Sequence, residues 1–168
     1  MSFKSEFKLQ GNTYEIIQCR FSLKQKYSQN GKPASGVHSG MIRVIIEGAY
    51  EGTFDSWISD PTKKLDGKII FYQVDQSDTK FKEVTIEGAY LISLMESFIV
   101  DHQITQALLL ESGLIDTDIG PHDDVDRQML KNALSELVKC QQATGRSYCA
   151  LLRISAEKIT IDGVAHQN

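Results

Sequence analysis

Lys82-Glu83-Val84-Thr85-Ile86-Glu87-Gly88-Ala89-Tyr90-Leu91-Ile92-Ser93-Leu94 is the stretch on which the fold class turns. Val84, Ile86, Tyr90, Ile92 and Leu94 make the longest alternating apolar set in the chain. Period two with β-branched and aromatic residues marks a strand that buries one face. The pattern extends in both directions. Phe3, Phe7 and Leu9 alternate with Lys4, Glu6 and Lys8 before Gly11-Asn12 turns the chain. Tyr14 to Gln25 reads as one strand, with Ile17, Cys19, Phe21 and Leu23 on one face and Gln18, Arg20, Ser22 and Lys24 on the other. Ile42, Val44 and Ile46 oppose Arg43 and Glu47, and Ile70, Tyr72 and Val74 form the next set. The pattern resumes at Tyr148 to Ile154 and runs through Ile159-Thr160-Ile161. So many short strands in 168 residues predict one mainly β domain over 1–168, a barrel or a sandwich.

Two segments break the alternation. Thr53-Phe54-Asp55-Ser56-Trp57-Ile58-Ser59 is predicted as a short helix that plugs or flanks the sheet. Thr53 would cap it, Phe54, Trp57 and Ile58 fall on one side, and Asp60-Pro61 ends it. Residues 101–146 read as an inserted amphipathic helix with loop arms. Val125, Met129, Ala133, Leu134, Leu137 and Val138 make its apolar stripe. Asp123, Asp124 and Asp126 sit where carboxylates favour a helix N-terminus, and Gly145 suits its C-terminus. Such a stripe needs cover, expected from its own barrel or a neighbouring subunit.

Between the strands ending near Gln25 and starting at Met41 lies Ser28-Gln29-Asn30-Gly31-Lys32-Pro33-Ala34-Ser35-Gly36-Val37-His38-Ser39-Gly40. A tight hairpin needs only about two to five connecting residues. A structureless loop of this length is expected to bind something.

Composition bounds the function. Charged residues are 24% and hydrophobic ones 41%, ordinary for a soluble globular domain. The net charge of −4 argues against nucleic acid as a partner. The charge is unevenly spread: residues 101–146 carry eight acids against four bases, and the rest of the chain balances. No apolar run approaches the ~20 residues of a membrane helix. Met1-Ser2-Phe3-Lys4-Ser5-Glu6 lacks the apolar core of a signal peptide, so folding in the cytosol is expected. Cys19, Cys140 and Cys149 form no C-x-x-C and read as small buried hydrophobes.

No catalytic constellation emerges. Gly31-Lys32-Pro33 lacks the earlier glycine and the Ser/Thr of a phosphate-binding loop. His38-Ser39 are adjacent, which by itself gives no nucleophile–base geometry. His122-Asp123-Asp124-Val125-Asp126 could ligate a metal but reads more simply as an acidic helix start. Glu47 and Glu87 are paired carboxylates only if their strands are neighbours. They sit in the one internal echo, Ile46-Glu47-Gly48-Ala49-Tyr50 and Ile86-Glu87-Gly88-Ala89-Tyr90. No cofactor or metal is expected.

The order of segments carries more. Met1 to Leu9 with Gly11-Asn12-Thr13-Tyr14 resembles the opening of the Hcp (TssD) tube proteins of type VI secretion systems, in their Bacteroidetes form. The resemblance continues through Cys19 to Gln25, Asn30 to Ser35, and Ser39-Gly40-Met41-Ile42. It returns at Phe54-Asp55-Ser56-Trp57, Asp66 to Tyr72 and Phe81 to Leu91, and again at Leu152 to Ile159 and Gly163-Val164-Ala165-His166. Residues 101–146 depart from it. The resemblance implies a small antiparallel β-barrel with a flanking helix and no enzymatic activity, assembled into hexameric rings. Those rings would stack into a tube that carries effectors and meets sheath, baseplate and spike, with no membrane insertion and no nucleic acid. It further implies that the loop Ser28 to Ser39 reaches a neighbouring subunit or ring, and that the protein is exported when the apparatus fires. The alternative reading is a monomeric β-barrel that binds a small ligand, with the insertion as a lid.

Overall fold

The computed structural model describes residues 3–39, 41–48, 51–74, 79–99, 124–162 and 164–167. The strands are β1 (Phe3–Leu9), β2 (Asn12–Arg20), β3 (Leu23–Tyr27), β4 (Pro33–Ser39), β5 (Ile42–Glu47), β6 (Leu65–Gln73), β7 (Thr79–Phe98), β8 (Tyr148–Ile161) and β9 (Val164–Gln167). Helix α1 (Thr53–Ser59) lies between β5 and β6, and helix α2 (Asp124–Thr144) between β7 and β8. The main sheet runs β5-β2-β1-β6-β7-β8-β9, and a further β5–β8 pairing closes the first six strands into a barrel. Every pairing is antiparallel.

β8 is the seam. Along its whole length it pairs with β7, from Phe98↔Tyr148 to Val84↔Ile161. Its other edge is shared. Cys149 to Ile154 face β5, and Lys158 to Ile161 face β9. The interior is filled by Phe7, Ile42, Val44, Ile46, Ile69, Val84, Ile86, Leu152 and Ile154, all without solvent exposure. Helix α1 stoppers one end. Trp57 and Phe54 are buried, and the Trp57 Nε1–H donates to the Ala89 and Lys63 carbonyls at 3.1 and 3.2 Å.

Several expectations are corrected. The single strand expected from Tyr14 to Gln25 is two, broken at Phe21-Ser22. A bulge between Ile16 and Gln18 shifts the register, so Tyr14 and Ile16 enter the barrel core while Ile17 packs outside it. A bulge inserts one residue and turns the rest of the strand to the other face. In β6 the inward set is Leu65, Ile69 and Phe71, not Ile70, Tyr72 and Val74, and Val74 is half exposed. Gly52, not Thr53, is the α1 cap, and no side chain bonds there.

The stretch Ser28 to Ser39 is not a structureless loop. Ser28 to Lys32 make a turn and Pro33–Ser39 form β4, paired with β3 as a separate two-stranded ribbon. The Ser28 N–H donates to Lys32 O at 2.8 Å and the Gly31 N–H to Ser28 O at 2.9 Å. Gly31 holds φ +74, which suits glycine. Pro33, with no N–H to give, begins the strand, where its loss costs the ladder least.

Candidate assembly surfaces

The ribbon β3–β4 leaves the barrel where β2 ends. In the register β1–β2, Ser5 faces Ile16 and Leu9 faces Asn12, so the β2 exit lies at the Phe3 end of the barrel. The residues expected to form the docking loop therefore divide. Ser28, Gln29, Asn30, Gly31 and Lys32 form the tip, with Gln29 to Lys32 exposed. Pro33, Ala34, Ser35, Gly36, Val37, His38 and Ser39 form β4, and their side chains lie outside the described structure.

Helix α2 is strapped to the outside of the barrel wall. Odd-numbered residues of β5, and of β8 from Cys149 to Arg153, point away from the core, and Ile45, Cys149 and Leu151 among them are buried by the helix residues Ala133 and Leu137. Val138 is also buried and Leu134 partly so. Val125 and Met129 belong to the helix, but their side chains lie outside the described structure. His122 and Asp123 also fall outside the described residues, and Asp124 and Asp126 sit in the first turn.

The C-terminal end of α2 is fixed by polar contacts. The fully buried Gln141 amide donates to the Ser97 carbonyl at 2.7 Å. Gly145, at φ +69, lets the Arg146 N–H reach back to Gln141 O, the arrangement that ends a helix on a left-handed glycine. Arg146 then bridges Glu15 at 2.8 Å and Glu47 at 2.6 Å. Glu87 pairs instead with Lys158. Glu47 faces Cys149 and Glu87 faces Lys158 along β8. Nine residues of strand separate them by about 30 Å, so they are not a carboxylate pair.

One electrostatic feature has no mark in the sequence pattern. Arg20, Arg43 and Arg153 sit opposite one another across β2, β5 and β8. Like charges in register repel. Glu136 of α2 reaches over this row, 3.3 Å from Arg20 and 3.7 Å from Arg43. Arg153 instead directs its Nε–H to the Met41 sulfur. The helix thus adds a carboxylate where the wall most needs one.

Burial governs the thiols. Cys19 is pushed up to about 12 and Cys149 to about 11, both by loss of solvent around the thiolate. The Tyr14 hydroxyl is also raised, first by burial and then by its bond to Glu51. Among the described residues no group of three or more His, Cys, Asp or Glu could hold a metal ion. A small-ligand barrel would need a cavity where Phe7, Ile42, Ile69 and Leu152 now sit.

A closed β-barrel with a filled interior, a two-stranded ribbon whose β4 lies beside β9, and an external helical strap is a fold that presents surfaces around a solid centre. The chain belongs to the family of Hemolysin coregulated protein Hcp (TssD), whose model matches residues 1–120. Among solved structures it is similar to Hcp1 from Flavobacterium johnsoniae, at 18% identity and TM-score 0.63, covering 98% of this chain and 99% of that one. It is also similar to Hcp1 from Salmonella typhimurium, at 8% identity and TM-score 0.56, covering 96% of this chain and 86% of that one. A third is the secreted protein Hcp3 from Pseudomonas aeruginosa, at 6% identity and TM-score 0.51, covering 99% and 97%. At these identities the likeness is one of fold. No curated protein matches the chain.

Proposed function

We propose that this protein is a structural subunit of the inner tube of a type VI secretion system. It assembles into hexameric rings that stack, with effectors carried in the lumen and with sheath, baseplate and spike proteins as neighbours. The observation that carries this reading is membership of the Hcp (TssD) family over residues 1–120, on a barrel whose interior is filled rather than hollow. A solid barrel does its work at its edges and faces. The β3–β4 ribbon is the arm that reaches another copy, through the tip Ser28 to Lys32 and the strand Pro33–Ser39. Among the described residues no helix is long and apolar enough to cross a membrane, in keeping with a subunit made in the cytosol and exported when the apparatus fires.

Mass photometry of the purified protein tests the reading. A species of six chain masses is expected, with stacked rings in electron micrographs at higher concentration. A strict monomer at high concentration would sink the proposal. Replacing Asn30 to Ser35 with a short turn should leave the barrel folded and impair stacking. Unchanged stacks would remove the role given to the arm.

A further inference from the structure

The arginine row on the outer wall holds more hydrogen-bond donors than its surroundings can satisfy. Arg20 of β2, Arg43 of β5 and Arg153 of β8 are direct cross-strand partners. Neighbouring strands lie about 4.8 Å apart, so the row runs about 10 Å across the wall and spans the β5–β8 seam. Each guanidinium carries five N–H donors, about fifteen in all. Against them, among the described residues, stand one carboxylate and one sulfur. Glu136 lies 3.3 Å from Arg20 and 3.7 Å from Arg43, and the second distance is beyond a hydrogen bond. The Met41 sulfur that takes the Arg153 Nε–H is a weak acceptor. The Arg43 Nε–H is shut off from water and has no acceptor among the described residues.

The acids around the row do not make up the difference. Glu15 and Glu47 are both engaged by Arg146. The position opposite Arg153 on β7 is Ser93, so no acid closes the row on that side. Asp124 and Asp126 belong to the first turn of α2, with Arg127 beside them. They precede Glu136 by ten residues or more, which is about 15 Å along the helix axis. Three positive charges therefore face one negative charge, an excess of two. The slot under Glu136, between Gln18, Arg20, Arg43 and Leu151, has a volume of about 10 Å³, room for one water at most. A larger ion would sit on the open side of the row, where Arg43 is 37% exposed and Arg153 partly so.

We propose that this row binds a tetrahedral dianion of the phosphate or sulfate class, held between the guanidiniums of Arg43 and Arg153 with Arg20 adding charge. A guanidinium presents paired N–H groups that match two oxygens of one ion, and a tetrahedral ion has oxygens for two such forks. Binding replaces repulsion between like charges in register with shared contacts to one anion. The ion would also link β5 to β8 across the pairing that closes the barrel. The inference concerns a single chain and stands apart from the tube reading.

Isothermal titration calorimetry of the purified full chain tests it, with sodium sulfate and sodium phosphate as probes and sodium chloride at matched ionic strength as reference. Both oxyanions also stabilise proteins by exclusion from their surfaces, so the criterion is saturable heat that depends on the row. Arg153→Gln and Arg43→Gln should each raise Kd by about tenfold or more. Arg153→Lys, which keeps the charge and loses the fork, should fall between Arg153→Gln and the parent. Glu136→Gln removes the competing carboxylate and should bind about threefold tighter or more, the opposite of what general loosening of α2 would give. Lys131→Gln, on the exposed side of α2, should bind as the parent does. Where Arg43→Gln disturbs folding, the Arg153 and Glu136 variants carry the test. No saturable heat with either oxyanion, parent-like binding by Arg153→Gln, or weaker binding by Glu136→Gln overturns the inference. Ring formation enters none of these readouts, so that failure would leave the tube reading standing.

Discussion

Gly48→Ala is a sharp test of how the seam is built. A Cβ at Gly48 would lie 2.2 to 2.3 Å from Cδ2, Cε2 and Cγ of the Tyr148 ring. Contact needs roughly 3.5 Å, so the ring must move by more than about 1 Å. It cannot do so freely. Tyr148 stacks on Phe98 with centroids 4.2 Å apart, and its hydroxyl donates to Glu96. The backbone cannot yield instead, because the Gly48 N–H donates to Tyr148 O at 2.9 Å where β5 meets β8. Losing the stack costs about 0.5–1.5 kcal/mol and the hydrogen bond about as much. Alanine returns about 0.4–1 kcal/mol by stiffening the unfolded chain, so the net loss expected is about 1–2 kcal/mol. For a domain of this size that is a drop in Tm of roughly 2–8 °C. Thermal unfolding monitored by near-ultraviolet circular dichroism measures it. Gly52→Ala, where nothing lies within 4 Å, serves as the control without a clash and should cost about 0.5–1 kcal/mol, from the weaker α1 cap alone. Tyr148→Ser should relieve the clash, so the double variant should be less destabilised than the sum of the singles. A Gly48→Ala protein as stable as the parent, or strict additivity with Tyr148→Ser, would refute the steric argument.

Two further outcomes are expected. Leu137→Ala removes a fully buried contact between α2 and the barrel wall, and should cost about 2–5 kcal/mol and speed hydrogen exchange along α2; unchanged exchange would mean the helix is not docked there. The raised thiols set an alkaline limit. Each favours the neutral form in the folded state, so its contribution is fully present below the ordinary thiol value of 9.0 and is lost as pH rises toward about 11 for Cys149 and about 12 for Cys19. Stability by urea unfolding should hold from neutral pH to about 9 and fall above it, and a Cys19→Ala/Cys149→Ala variant should fall less steeply.

Much of this architecture was written in the alternation of Phe7 and Leu9, of Ile42, Val44 and Ile46, and of Val84 and Ile86. Each strand has one wet face, and water enforces the period. Where both faces are covered the period vanishes. Ile69-Ile70-Phe71-Tyr72 is apolar throughout, so its inward set could not be chosen from the pattern. Val44-Ile45-Ile46 and Cys149-Ala150-Leu151-Leu152 are continuous for the same reason, and that continuity was the overlooked sign of where α2 would lie. The small and polar residues of Pro33–Ser39 carry no apolar alternation, so this ribbon strand reads as a loop in the sequence. The bulges at Ile16/Gln18 and at Phe81 are local decisions of the ladder with no compositional mark. The echo Ile46 to Tyr50 and Ile86 to Tyr90 has a physical counterpart. Gly48 and Gly88 flank opposite edges of β8, one beneath Tyr148 and the other, at φ +59, against Glu157.

The seam strand also sets an order of events in folding. β8 is the last of the six barrel strands in the chain, yet it is the one that joins β7 to β5. Until it arrives, a nascent or unfolded chain can pair β1 with β2, β2 with β5 and β6 with β7, but it holds two open edges. Closing the β5–β8 seam brings together Ile42 and Ile154, separated by more than a hundred residues. Contacts that distant form slowly, since the entropy of the intervening chain opposes them before the core rewards them. The open intermediate exposes edges able to pair with another copy, so for a protein that works by meeting its own kind, the interval before β8 docks is when misassembly is most favoured.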